Sequence, residues 1–241
     1  MEDEKVLNVE ELKGRAIRFF SRYEKDLEQI RQLLSIRLTQ LALAYTIENA
    51  LPHEAVIILT RVKTLKSFLK KIEKKGWPQF YYPTEVVQDL IGARVICWFI
   101  DDCEGMCRLI TSSKHLKVQG QIEDYIKEPK ASGYRSIHLL ANVSYDSVQR
   151  KNEQVIITDE AMICEIQIRT KLQDAWDDIT HEFHYKAKTA GVYNKVYEKI
   201  LSEIAIRLAN EDCSLLTLRD AYQELADKKV PKKTVEGFRG E

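Results

Sequence analysis

The sequence predicts an α+β fold, and three patterns along the chain lead to this prediction. Residues 164–170 alternate strictly between apolar and polar side chains, which is the period of a β-strand. Residues 89–100 form a nearly continuous apolar run, which is typical of a strand that is covered on both faces. Apolar residues recur at steps of three and four from about residue 10 to residue 49, which indicates one long helix.

The remaining elements are predicted from the same periodicities and from residues that begin or end helices. Further strands are predicted at residues 55–63, 116–121, 137–139 and 155–157. Further helices are predicted at residues 64–75, 101–113 and 170–183, with one or two more from residue 193 onward. Thr64 and Thr170 are the expected N-caps, and Gln173 completes a capping box with Thr170.

We expect one compact domain whose chain has four parts. They are an N-terminal helical segment at 1–50, a core at 51–190, C-terminal helices at 191–230 and a loose tail at 231–241. The long N-terminal helix is interpreted as lying across its own domain, although an oligomer contact would have the same spacing. The helix that begins at Thr170 is expected to pack against the sheet through Leu172, Ala175, Trp176, Ile179 and Phe183.

The composition is that of a soluble globular protein without a net charge. Lys plus Arg and Asp plus Glu both number 37, so any anion site must be a local cluster. The five scattered cysteines favour a reducing compartment, and Cys103 and Cys107 lack the second pair that a zinc site needs. The acidic start is not a signal peptide and no apolar run spans a membrane, so we expect a cytoplasmic protein without a membrane partner.

The strand at 164–170 places an anion, an amide and a guanidinium on one face. These are Glu165, Gln167 and Arg169, which suit the floor of a polar cleft, although an ordinary half-exposed strand has the same pattern. Asp89 and Arg94 interrupt the apolar run at 89–100 near its start. Because buried charges are costly without partners, this pair is expected either to form an ion pair or to hold a ligand.

Cations and one aromatic ring are predicted around this cleft. Arg61 and Lys63 share a strand face, and the following helix carries a run of lysines that includes Lys71. The stretch at 124–140 is read as a loop and carries three more cations, Lys127, Lys130 and Arg135. Tyr134 follows the flexible Gly133, where its ring is a candidate stacking plate for a base. His138 alternates with apolar residues on the next strand, whereas His181 and His184 lack zinc-protease spacing and are interpreted as structural.

Two carboxylates surrounded by cations suit Mg²⁺-dependent transfer of a phosphate group from a nucleotide. The sequence has neither a P-loop nor a kinase glycine loop. Side chains are therefore expected to hold the phosphates.

Five ordered strings of residues resemble the synthetase domain of the RelA/SpoT alarmone synthetases. They are Arg61-Val-Lys63, Asp89-x-x-Gly-x-Arg94-Val, Tyr125-Ile-Lys-x-Pro-Lys130, Gly133-Tyr-Arg-Ser-x-His138 and Glu165-Ile-Gln-Ile-Arg-Thr170. The resemblance covers about residues 56–186 and implies a mixed sheet of about five strands flanked by helices, similar to nucleotidyltransferases. It also implies a small, stand-alone synthetase, with a possible homo-oligomer formed through the terminal helices.

The resemblance also implies a role for each matching residue. Arg61 and Arg94 would sandwich the adenine of ATP, and Lys63 and Lys71 would hold its phosphates. Asp89 and Glu165 would bind Mg²⁺, and Glu165 would activate the attacking hydroxyl. Tyr134 would stack on the acceptor guanine. The acceptor side would be lined by Lys130, His138 and Gln167, with Lys127, Arg135 and Arg169 as further candidates.

The implied reaction transfers the β,γ-pyrophosphate of ATP to the ribose 3′-oxygen of GDP or GTP, which yields AMP and (p)ppGpp. Two alternatives remain at this point. One is a toxin-type relative that modifies the 3′ end of tRNA or an adenine nucleotide with the same catalytic strings. The other is a nucleotide-binding sensor without catalysis, which the intact Asp89 and Glu165 argue against.

Overall fold

The computed structural model describes residues 8–151, 154–189, 191 and 194–229. Its helices are α1 (Val9–Glu48), α2 (Leu65–Lys74), α3 (Ile100–Ser112), α4 (Lys171–Thr189) and α5 (Lys195–Lys229). Its strands are β1 (Val56–Val62), β2 (Ile91–Cys97), β3 (Leu116–Asp124), β4 (Ile137–Lys151) and β5 (Gln154–Thr170). None of the helices in these described ranges is long and apolar enough to cross a membrane.

The five strands form one mixed sheet in the order β1-β2-β5-β4-β3, which confirms the predicted fold class. β2 and β5 run parallel, and the other neighbouring pairs are antiparallel. This register places Glu165 opposite Gly92 on one side and opposite Leu140 on the other. Gln167 lies between Arg94 and His138 in the same way. The pairing therefore gathers residues from three strands around the centre of one sheet face.

The long helix α1 lies across the other face of the sheet, as interpreted from its sequence. Its residues Leu27, Ile30, Leu34 and Leu38 are at most 1% exposed and belong to the main core. The apolar side chains of β5 at Cys164, Ile166 and Ile168 join the same core. Burial of these apolar surfaces is what fixes the helix on the sheet.

The segment at 155–157 is not a separate short strand, so that prediction was wrong. It belongs to β5, which pairs with β4 without interruption from Gln154 to Ile168. Residues 154–160 are all exposed, and three of them in succession are apolar, Val155, Ile156 and Ile157. The alternation of apolar and polar residues that marks a half-buried strand is therefore absent from this part of β5. The predicted strand at 89–100 is also shorter, because α3 begins at Ile100.

Helix α4 begins as predicted, because Thr170 and Gln173 form the reciprocal capping hydrogen bonds. The predicted packing of Ile179 and Phe183 on the sheet was wrong, since they are 59% and 56% exposed. Ala175 is likewise exposed. The face of α4 that meets β2 and β5 is ionic instead, and its aspartates bind two arginines of these strands. The C-terminal pattern forms the single helix α5, and the predicted tail lies outside the described residues.

Candidate active site

Two adjoining cavities open beside the polar face of the sheet, and Arg61 lines both. One has a volume of about 210 Å³ and is lined by Arg61, Arg94, Glu165 and Gln167, among other residues. The other has a volume of about 470 Å³ and is lined by Arg61 and by side chains of α2 that include Lys70, Lys71 and Lys74. The strand face predicted to floor a polar cleft therefore meets the lysine-rich face of α2.

Asp89 precedes β2 and forms ion pairs with two lysines. Its carboxylate oxygens lie 3.0 Å from Lys63 Nζ and 2.9 Å from Lys71 Nζ. Burial raises the pKa of the Asp89 carboxyl, but the two ammonium groups outweigh it, so the pKa lies below its ordinary value. The carboxylate is therefore ionised at neutral pH.

Arg94 on β2 is surrounded by three carboxylates of α4. Its guanidinium lies 3.2 Å from Asp174, 3.4 Å from Asp177 and 2.6 Å from Asp178. These aspartates were not among the predicted site residues. Their spacing of three and four residues places them on one helix face, and this is the signal that would have indicated them.

Both carboxylate oxygens of Glu165 have a polar neighbour. His138 Nδ1 lies 3.3 Å from Oε1, and Gln167 Nε2 donates to Oε2 at 2.9 Å. Burial raises the pKa of Glu165, but the contact with His138 and the bond from Gln167 outweigh it, so the pKa lies below its ordinary value. An ionised carboxylate thus lies on the floor of the cleft.

Arg169 is fully buried and binds Asp177 at 2.6 Å. It also donates to the hydroxyl of Tyr134 at 2.9 Å and to Gln167 Oε1. The Tyr134 hydroxyl lies 2.7 Å from His138 Nε2. The side chains of the fifth sequence string are therefore connected to the loop before β4.

The three loop cations lie in different surroundings. Lys130 Nζ lies 4.0 Å from the ring centroid of Tyr125 and 5.3 Å from that of Tyr134, so it packs against these two aromatic rings. Lys127 is exposed and pairs with Glu104 and Asp124. Arg135 donates to the carbonyl of Ile126 at 2.9 Å and so holds the loop together. The structure therefore does not bring Lys127 and Arg135 to the polar cleft.

The carboxylate oxygens of Asp89 and Glu165 are of the type that binds a divalent cation together with a nucleotide. Asp89 Oδ1 is buried and faces Lys71 Nζ at 2.9 Å, a cation that a bound metal would replace. Within the same described part, no group of three or more His, Cys, Asp and Glu side chains is suited to hold a metal. Mg²⁺ in nucleotide sites commonly uses one or two carboxylates and takes its other ligands from phosphates and water. Asp89 and Glu165 are two carboxylates of this kind.

A mixed five-stranded sheet with two carboxylates beside a cation-lined cleft is the arrangement expected of a nucleotide pyrophosphotransferase domain. Residues 60–190 match the family model described as the region found in RelA/SpoT proteins, and the chain belongs to this family.

Relatives within the family include small alarmone synthetases. The chain is 32% identical over 197 residues to GTP pyrophosphokinase YjbM of Bacillus subtilis (strain 168). This alignment covers 80% of this chain and 85% of that protein. It is similar to the structure of small alarmone synthetase 1 of Bacillus subtilis bound to its product pppGpp, with a TM-score of 0.70 and 26% identity. The superposition covers 85% of this chain and 98% of that chain. It is also similar to the structure of small alarmone synthetase 2 of that organism, with a TM-score of 0.64 and 26% identity over 83% of this chain and 98% of that chain. The chain is of the small alarmone synthetase type.

Proposed function

We propose that this chain transfers the β,γ-pyrophosphate of ATP to the ribose 3′-oxygen of GDP or GTP, which produces AMP and (p)ppGpp for stringent-response signalling. The observation that carries the proposal is the position of Glu165, an ionised carboxylate on the floor of a cleft that Arg61 and Arg94 line. The family of the chain supports the same reaction, because relatives of this size are named GTP pyrophosphokinase or small alarmone synthetase.

On the donor side, Arg61 and Arg94 stack on the two faces of the adenine. Lys63 and Lys71 bind the phosphates, and to do so they give up their ion pairs with Asp89. Asp89 and Glu165 would then hold Mg²⁺, which, when bound, neutralises charge on the phosphate oxygens. The ion pairs around Asp89 therefore keep these groups in place before ATP binds.

On the acceptor side, the ring of Tyr134 stacks on guanine, and Lys130, His138 and Gln167 contact the acceptor. Glu165 accepts the proton of the 3′-hydroxyl while the bond from the 3′-oxygen to the β-phosphorus forms and the bond to the AMP oxygen breaks. A carboxylate whose pKa lies below its ordinary value is deprotonated at neutral pH, so Glu165 carries no proton of its own when the 3′-hydroxyl approaches. Arg169 acts indirectly, through its bond to Gln167.

Relatives named GTP pyrophosphokinase favour a guanine-nucleotide acceptor over the tRNA 3′ end or an adenine nucleotide. A cytoplasmic location and assembly through the terminal helices remain part of the proposal. Exposed apolar residues on α5, including Leu218, Tyr222 and Leu225, give an assembly contact a possible surface.

A transfer assay tests the proposal directly. The chain is incubated with γ-labelled ATP and Mg²⁺, and GDP, GTP, ADP and deacylated tRNA are offered in parallel. We expect label on GDP and GTP, and label confined to tRNA or ADP would overturn the proposed acceptor. Glu165→Gln is the control: it should abolish turnover while GDP binding, measured by calorimetry, is retained. Turnover by Glu165→Gln would remove the base role of Glu165.

A further inference from the structure

Five side chains of the site form a closed ring of polar contacts. Glu165 Oε1 contacts His138 Nδ1 at 3.3 Å, and His138 Nε2 contacts the Tyr134 hydroxyl at 2.7 Å. Arg169 donates both to this hydroxyl and to Gln167, and Gln167 donates to Glu165 Oε2. The ring therefore reaches both oxygens of one carboxylate from opposite directions.

The chemistry of the members sets the role of each atom in the arrangement with a neutral imidazole. Arg169 has only donors and the Glu165 carboxylate only acceptors, so the Tyr134 oxygen accepts from Arg169 and the imidazole proton lies on Nδ1, 3.3 Å from Glu165 Oε1. His138 Nε2 then accepts a hydrogen bond from the Tyr134 hydroxyl at 2.7 Å. Burial raises the pKa of Tyr134 to about 12, so its hydroxyl keeps the proton that this arrangement uses.

Arg169 is the most constrained member of this cycle of polar contacts. Arg169 is 0% exposed and is held by Asp177 of α4 at 2.6 Å. Because the guanidinium cannot move without losing this buried ion pair, it fixes the Tyr134 hydroxyl on one side and Gln167 on the other. Buried partners of this kind are what holds a catalytic group within the roughly 0.5 Å that productive geometry allows.

We propose that the Tyr134 hydroxyl, acting through His138, orients the Glu165 carboxylate for attack by the acceptor hydroxyl. Tyr134 thus has two separable parts: the aromatic ring contacts the acceptor base, and the hydroxyl is a positioning group for the catalytic residue. This inference rests on the proposed function, because it assigns the orientation of the base that function requires. It predicts an effect on turnover that loss of base stacking would not produce.

Tyr134→Phe separates the two parts, because it keeps the ring and removes only the hydroxyl. We expect kcat to fall about 10- to 100-fold, the usual effect of removing a group that orients a functional side chain, while KM for GDP changes less than about 2-fold. Tyr145→Phe is the matched control, since it removes another partly buried hydroxyl of the sheet, one that donates to Glu160 at 3.0 Å. This control should retain the wild-type kcat.

A double-mutant cycle tests whether the hydroxyl acts through the imidazole. Tyr134→Phe should slow the wild-type enzyme but have an effect of less than about 2-fold when His138 is already alanine. The inference is overturned if Tyr134→Phe keeps kcat within about 2-fold of wild type. It is also overturned if the two substitutions multiply, or if the loss appears as a higher KM for GDP.

NMR of the imidazole nitrogens gives a readout that does not require turnover. In the wild-type chain at neutral pH, His138 should carry its proton on Nδ1 and accept a hydrogen bond at Nε2, and Tyr134→Phe should shift the Nε2 signal because it removes that donor. The His138→Ala variant assigns the signal among the five histidines of the chain. Absence of pyrophosphate transfer by the wild type would count against the proposed function, whereas an unchanged His138 Nε2 signal in Tyr134→Phe would overturn the role of the Tyr134 hydroxyl.

Discussion

The carboxylate of Asp177 on α4 lies 2.6 Å from the guanidinium of Arg169 on β5. Asp177 also lies 3.4 Å from Arg94 on β2, so one helix side chain joins two neighbouring strands of the sheet. Arg169 in turn contacts Tyr134 and Gln167. The ion pair therefore connects the packing of α4 to the side chains on the floor of the cleft.

Asp177→Ala should destabilise the fold, because it leaves the buried Arg169 without its closest carboxylate. We expect the free energy of unfolding to fall by about 2–3 kcal/mol, at the low end for a buried pair because Asp177 is 22% exposed. Asp178→Ala is the matched control on the same helix. Asp178 is 61% exposed, so its loss should cost less than about 1 kcal/mol. Urea unfolding of both variants measures the difference, and equal costs would contradict the role of Asp177.

Tyr134→Ala should raise KM for GDP far more than KM for ATP, because it removes the ring that is proposed to contact the acceptor base. Base stacking on an aromatic side chain contributes about 1–3 kcal/mol, which corresponds to roughly a 5- to 150-fold change in affinity. Steady-state kinetics with each substrate varied in turn give both constants. An equal rise in the two KM values would mean that the ring does not contact the acceptor.

Gly133→Ala should disturb the loop that presents Tyr134. Gly133 has φ +87, and a Cβ there would lie 2.4 Å from the Cβ of Ala205 and 3.2 Å from Ser202 Cα on α5. We expect a loss of about 2–4 kcal/mol in the free energy of unfolding, from backbone strain and overpacking together, and a higher KM for GDP.

Gly120→Ala is the control for the backbone term of this prediction. Gly120 has φ +67 but nothing within 4 Å of an added Cβ, so its substitution should cost only about 1–2 kcal/mol and leave KM unchanged. If Gly133→Ala costs no more than Gly120→Ala, the close approach of α5 to the loop does not restrict Tyr134.

Local patterns in the sequence predicted the elements of the site, whereas long-range pairing decided how they meet. The alternation at 164–170 is sufficient by itself to place Glu165, Gln167 and Arg169 on one strand face. The register that sets Gln167 between Arg94 and His138 depends on contacts between distant segments, and periodicity does not contain it.

The ionic face of α4 was missed for a different physical reason. Apolar spacing over residues 172–183 suggested a hydrophobic contact with the sheet, but Ile179 and Phe183 are exposed. Arg94 on β2 and Arg169 on β5 instead form ion pairs with aspartates of the helix, because a buried guanidinium is costly without a carboxylate. Side-chain polarity on the facing strands therefore overrode the apolar periodicity of α4.

Asp212 should make the stability of the fold depend on pH. It lies on α5, is 1% exposed, and accepts hydrogen bonds from Thr170 Oγ1 at 2.8 Å and Gln173 Nε2 at 3.2 Å. Burial raises its pKa to about 6, although these bonds and the charge of Arg135 oppose the rise. Its other oxygen, Oδ1, is buried without a hydrogen-bond partner among the described residues, as suits a protonated carboxyl.

Because the folded chain binds this proton more tightly than the unfolded chain, stability is greatest when Asp212 is protonated and falls as pH rises from about 4 to about 6. The pKa difference of about two units corresponds to about 3 kcal/mol. Asp212→Asn cannot ionise, so its free energy of unfolding should gain up to that amount relative to wild type between pH 4 and pH 7. Urea unfolding of both proteins across this range measures the difference. A constant difference would show that Asp212 has an ordinary pKa, because only a group with different pKa values in the folded and unfolded chains changes stability with pH.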